Sequence, residues 1–121
     1  MSGFDVNRSM VKEDALAAFL AAPVSEDITQ VPGIGPKAKE LLAEAVEGDQ
    51  AITTTYQLIG KFLTLRAAGM SQQEHLDAMW HWLNARKINA FRAGIVHCIA
   101  EKCNLMIPGI YDAAATAEEA E

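Results

Sequence analysis

The chain has 121 residues, of which 50% are hydrophobic and 21% charged, and a formal net charge of −6. This is about one domain's length with enough apolar content for one core. It excludes a disordered composition and a polyanion binder carried by bulk positive charge. Alanine and leucine dominate, β-branched runs never alternate cleanly, and no apolar stretch nears the ~20 residues that span a bilayer. The expectation is therefore an all-α fold of five to six helices with no membrane insertion.

In chain order, residues 1–10 read as a flexible N-terminal arm, ahead of a single helical domain over 11–111. Val11, Ala15, Phe19 and Leu20 stripe a first helix that Pro23 ends. Ala15 to Val24 has the length of a secretion-signal core, but Glu13 and Asp14 stand where such a signal carries positive charge, so an intracellular, soluble chain is expected. Asp27 or Thr29 caps a short turn through Ile28 and Val31. The stretch "VPGIGPKAKELL" follows, with Pro36 at the first position of a helix. Leu41, Leu42, Ala45 and Val46 form that helix's apolar side, and Gly48 stops it.

Thr53 or Thr54 caps the next helix, "YQLIGKFLTL", which runs to about Arg66. Its apolar residues Tyr56, Leu58, Ile59, Phe62, Leu63 and Leu65 fall on most sides, as in a central helix. Ser71 to Glu74 forms a capping box before a helix striped by Leu76, Met79, Trp80 and Leu83. Trp82 lies off that stripe and is a candidate dimer-interface residue. Asn89 caps a last long helix carrying Phe91, Ile95, Ile99 and Leu105, which Pro108 and Gly109 end. The segment "IPGIYD" either folds back on the core or completes a dimer contact through Tyr111. Residues 112–121 are an acidic, alanine-rich tail.

The net charge is uneven. Between Gly33 and Lys102 there are 8 basic residues and 7 acidic ones, a balance of +1, so the deficit sits in the flanks. A helix start carries unpaired N–H groups and partial positive charge, and phosphate binds there. Gly33 and Gly35 present no Cβ to an approaching backbone. Ile34 points inward and locks the corner, while Lys37 and Lys39 add sequence-independent attraction. Gly-x-Gly alone also serves pure packing corners. The longer string Val31-Pro32-Gly33-Ile34-Gly35-Pro36-Lys37 is the pattern of a helix-hairpin-helix, which holds phosphates and does not read bases.

Nothing points to catalysis. There is no P-loop, nucleophile elbow or dinucleotide glycine pattern, and Glu40 and Glu44 mark a solvated helix face. His97, Cys98 and Cys103 fit no zinc spacing, and His75 and His81 do not face each other on one helix. Cys98 and Cys103, five apart on one helix, point in different directions, which argues against a disulfide and for a reducing compartment. No cofactor, no metal and no enzymatic activity are expected.

With these residues in view, the order of elements from Val11 to Met106 resembles the barrier-to-autointegration factor family. "GIGPKAKELL" resembles that family's hairpin, "YQLIGKFLTL" its central "GQFL-L" helix, and "MWHWLN" its "F-x-E-W-L-K". The resemblance implies a homodimer that binds double-stranded DNA through backbone contacts and bridges two duplexes, in the nucleus and/or cytoplasm, beside chromatin or nuclear-envelope proteins. Carried onto this chain, the contacts are Gly33, Ile34, Gly35 and Lys37, the region of Lys87, Ile88 and Asn89, and Lys12 near the first helix. Two positions depart from the family pattern. Lys12 is followed by Glu13 and Asp14, and Lys39 stands where a small residue is usual. Two other functions fit the same residues: an interaction or scaffold module of this fold without DNA affinity, and a non-catalytic subunit of a DNA-repair complex.

Overall fold

Capping decides where several helices begin. In the computed structural model, which describes residues 3–112, Asp27 accepts from the Thr29 amide at 3.0 Å and starts a 3₁₀ turn, Ile28–Gln30. Helix α1 spans Glu13–Ala21, and α2 spans Pro36–Ala43 with Pro36 in its first turn. Thr54 accepts from the Gln57 amide at 3.1 Å while Gln57 accepts from the Thr54 amide at 3.2 Å, and this box opens α3, Thr55–Thr64. Ser71 and Glu74 form the expected box, at 3.1 and 2.8 Å, before α4, Gln72–Ala85. Helix α5 spans Arg92–Met106. The fold is all-helical, with five α-helices, two 3₁₀ turns and no strand among the described residues.

The central helix is α5, not α3. Ile95, Val96, Cys98, Ile99, Ala100 and Cys103 are all fully buried, and α5 packs against α1, α3, α4 and the 3₁₀ turn Val6–Arg8. Its small residues Ala93, Gly94 and Ala100 let neighbours close on every side. By contrast α3 buries Leu58, Ile59 and Phe62 on one face and leaves Tyr56 exposed. Burial pushes the Cys98 and Cys103 thiols up to about 12, so neither is a thiolate at neutral pH.

Buried cations set two helix ends. Lys102 Nζ donates to the carbonyls of Phe19 at 2.8 Å, Leu20 at 3.0 Å and Ala22, which closes α1. The Arg86 guanidinium donates to the carbonyls of Leu42 at 2.7 Å, Glu44, and Gln50 at 3.1 Å. It thereby ends α2 at Ala43, ahead of the expected stop at Gly48, and Ala45 and Val46 lie outside the helix. Gly48 instead takes φ +83° in the turn bridged by Val46 and Asp49.

Both ends of the described segment pack onto the core, the first against expectation and the second in one of its two expected ways. Phe4 is buried, its amide donates to Asp77 Oδ1 at 2.7 Å, and its carbonyl accepts from Gln73 at 2.8 Å. Ser9 Oγ meets His97 Nδ1 at 2.9 Å, and His97 Nε2 lies 3.4 Å from Glu101. From residue 4 onward the expected flexible arm is thus a docked segment, because a buried aromatic and paired backbone hold it. At the other end "IPGIYD" folds back on the core. Tyr111 is buried, Asn104 Oδ1 accepts from the Gly109 amide at 2.8 Å, and Gln72 bonds the backbone of Asp112 in both directions at 2.8 Å. The tail from residue 113 lies outside the described residues.

The two expected interface residues are therefore used within the chain. Tyr111 belongs to the core. Trp82 packs against that core, donates from Nε1 to Asp49 Oδ2 at 2.6 Å, and has the Lys61 and Arg86 cations 5.4 and 5.5 Å from its ring centroid. Partial burial acts to raise the Asp49 carboxyl. The hydrogen bonds from Trp82 and Lys61 outweigh it and hold the group below the ordinary carboxylate value.

Fully buried His75 stacks on Phe62 at 4.1 Å, and its Nε2 lies 2.7 Å from the Phe62 carbonyl. A carbonyl only accepts, so Nε2 carries the hydrogen, while buried Nδ1 has no partner. Desolvation lowers its affinity for a proton below the ordinary value of 6.5. The unfolded chain then binds more protons than the folded one once pH falls below 6.5. Stability is complete above that value and declines beneath it, by at most about 1.4 kcal/mol per pH unit. Thermal unfolding from pH 7.5 to 5.5 should show this decline, and His75→Phe should flatten it. A parent midpoint that is constant across this range contradicts the assignment.

Candidate nucleic-acid interface

The corner before α2 is built from two glycines with different reasons to be glycine. Gly33 has φ +96°, and a Cβ there would lie 3.0 Å from Ile95 Cγ1 and 3.3 Å from Phe91 Cβ. The fold alone demands it, on backbone and on steric grounds. Val31 and Ile34 are buried on either side, and the Ile34 amide closes the corner onto the Val31 carbonyl at 3.0 Å. Ile34 thus has the inward role expected of its side chain.

Gly35 is the opposite case. Its φ of −99° and ψ of −168° suit any residue, and a Cβ would meet nothing within 4 Å. No side chain caps α2, and the first bond of the helix runs from the Lys39 amide to the Gly35 carbonyl at 3.0 Å. The N–H groups of Gly35, Lys37 and Ala38 are left for an outside acceptor. The bare Gly35 surface is the way to them.

Two shallow grooves meet at this corner. One runs past Lys12, Thr29, Gly33 and Gly35, and the other past Gly35, Lys37, Lys87 and Asn89. Helix α2, the start of α1 and the α4–α5 loop thus bring Lys12, Lys37, Lys87 and Asn89 together around the glycines. The three lysines are exposed and form no ion pair among the described residues. Of the bases in the central region, Lys61, Arg86 and Lys102 are turned inward as described, and Arg92 stacks 3.8 Å over the Trp80 ring.

Lys39 is not part of the grouping. It is exposed and lies outside both grooves, so its bulk does not obstruct the packing of α2. Hydrogen bonds from the Thr29 hydroxyl and amide hold the Asp27 carboxyl low, and the Lys39 charge adds to that. Asn89 does not cap α5. That place belongs to Phe91, in the left-handed conformation at φ 62°, ψ 19°, with no side-chain cap.

Lys87 is left-handed as well, at φ 68°. Its amide bonds the Asn84 carbonyl at 2.9 Å and the Ile88 amide bonds the Leu83 carbonyl at 3.0 Å, a Schellman ending in which glycine is usual. A lysine there costs roughly 1 kcal/mol relative to glycine. Neither this ending nor the exposure of Phe91 is legible in the sequence. Phe91 stands four residues before Ile95 and continues its stripe, so spacing assigns it to the core. The absence of Ser, Thr, Asp or Asn immediately before Arg92 was the available warning.

Compared with known protein families, with curated proteins and with solved structures, the chain matches none. The corner's own geometry therefore carries the functional reading. No three His, Cys, Asp or Glu side chains among the described residues gather to hold a metal ion, and no helix among them is long and apolar enough to cross a membrane.

Proposed function

We propose that this chain is a non-catalytic, sequence-independent double-stranded DNA-binding protein of the barrier-to-autointegration factor type, and that the corner at Gly33–Lys37 acts as a helix-hairpin-helix. The observation that carries the reading is Gly35. The fold gives no reason for a missing side chain there, whereas a phosphate approaching the amides of Gly35, Lys37 and Ala38 does. Lys12, Lys37 and Lys87 surround the same point without acidic partners. Phosphate contacts of this kind position a duplex and leave its bases unread.

Bridging two duplexes requires two copies. Trp82 and Tyr111 are used internally, but Leu105, Met106 and Ile107 at the end of α5 remain 60%, 49% and 44% exposed. This apolar end supports a homodimer in place of the residues first expected. Chromatin or the nuclear envelope is the setting that the family resemblance implies. A second reading, a scaffold module without DNA affinity, draws on the net charge of −6 and on Glu13 and Asp14 beside Lys12.

Duplex titrations at several salt concentrations separate the two. Three lysines give a shallow slope, about −2 to −3 in log affinity per decade of salt, equal for unrelated sequences. Lys37→Ala should weaken every duplex alike and reduce the slope by about one. A slope near −8, or a preference for one sequence of about 10³-fold or more, would place binding on another surface, and no binding at all would leave the scaffold reading. Light scattering on the same preparation should give twice the chain mass. A strict monomer at high micromolar concentration removes bridging.

A further inference from the structure

Phe91 is held in a disfavoured left-handed conformation and is still 62% exposed as a residue. Capping α5 does not require phenylalanine. The cap bond comes from the backbone, Ile95 amide to Phe91 carbonyl at 2.9 Å, and glycine or asparagine would supply it with less strain. The root of the side chain is fixed beside the corner, with Phe91 Cβ 3.3 Å from where a Gly33 Cβ would stand. Phe91 also lines both grooves, with Lys12 on one side and Lys37 and Lys87 on the other. An exposed aromatic with basic groups on both flanks matches a ring seated between the two phosphate strands of a duplex. The charge pattern thus favours DNA over an apolar protein partner.

We propose that Phe91 is a wedge. With the backbone held at the corner, its ring enters the minor groove and partly unstacks one base step, as exposed apolar side chains do in minor-groove proteins. The inference rests on the DNA-binding reading and deepens it. It makes affinity depend on how easily a step deforms, with mismatches and flexible pyrimidine–purine steps favoured over stiff A-tracts. The base edges themselves stay unread.

The test uses duplexes with 2-aminopurine beside a central TA step, a mismatch or an A-tract, and the full chain as parent, Phe91→Gly and Phe91→Leu. Glycine suits the left-handed backbone and so keeps the fold while removing the ring. The parent should brighten 2-aminopurine at the deformable step and bind it several-fold more tightly than the A-tract. Phe91→Gly should lose roughly tenfold in affinity, the step preference and the fluorescence rise. Its salt slope should not change, because an uncharged ring releases no counterions. Phe91→Leu should retain most of the effect. If the parent binds but does not brighten 2-aminopurine, or if Phe91→Gly matches the parent while Lys37→Ala still weakens binding, the wedge is overturned and the DNA reading stands. If the parent binds no duplex, both fall.

Discussion

Gly35→Glu should abolish duplex binding in a protein that keeps its parent stability, whereas Gly33→Ala should lower the melting temperature markedly. The contrast follows from the two sites. At Gly35 a side chain enters open space on ordinary extended backbone, so helix content and melting temperature stay near the parent's. The glutamate then stands over the amides of Gly35, Lys37 and Ala38, blocks the phosphate sterically and repels it electrostatically. Gly35→Ala should fall between, adding bulk without charge.

At Gly33 the backbone is at φ +96° and the added methyl is pressed to 3.0 Å from Ile95 Cγ1, a residue buried in α5. Strain of this kind costs on the order of 1–3 kcal/mol, and overpacking a similar amount. Thermal unfolding followed by circular dichroism, together with a fluorescence titration of random duplex, measures both. A Gly35→Glu protein that is folded and binds like the parent would show that the corner is not the site.

Arg86→Ala should cost a large share of the fold's stability. Arg86 is 4% exposed, and its guanidinium is shared among Asp49 at 3.1 Å and the carbonyls of Leu42, Glu44 and Gln50. Removing it leaves the Asp49 carboxylate and several carbonyls short of a donor where water has little access. Breaking a buried ionic partnership costs about 3–5 kcal/mol, a large part of the 5–15 kcal/mol usual for a domain. The melting midpoint should drop by roughly 10–20 °C. Arg86→Lys should recover little, because an ammonium cannot reach the same acceptors as a planar fork. A drop below about 3 °C for Arg86→Ala would mean that α2 and the Val46–Asp49 turn are held by other contacts.

Signals that act within about one helical turn were legible in the sequence. The capping box at Ser71, the Asp27 cap, Pro36 at the start of α2, the tight corner at Gly33 and the all-helical class each depend on residues no more than about four apart, and the structure has each of them. The grouping of Lys12, Lys37, Lys87 and Asn89 around the glycines was expected from a resemblance, and the geometry assembles it. What only the tertiary structure decided depends on partners far along the chain. Helix α2 ends where Arg86, 44 residues beyond Leu42, takes its carbonyls, and α1 ends on Lys102, 83 residues beyond Phe19. Apolar spacing could not tell that α5 would be surrounded and α3 only faced, since both carry enough apolar residues and the choice is made by which helix the others enclose. The same limit hid the docking of Phe4 and Tyr111 and the internal bonds of Trp82. It also placed Phe91 in the core, although a left-handed cap turns its ring out beside the glycines. Local chemistry starts helices and shapes corners, whereas burial and long-range hydrogen bonds decide where helices end and which side chains remain free to act.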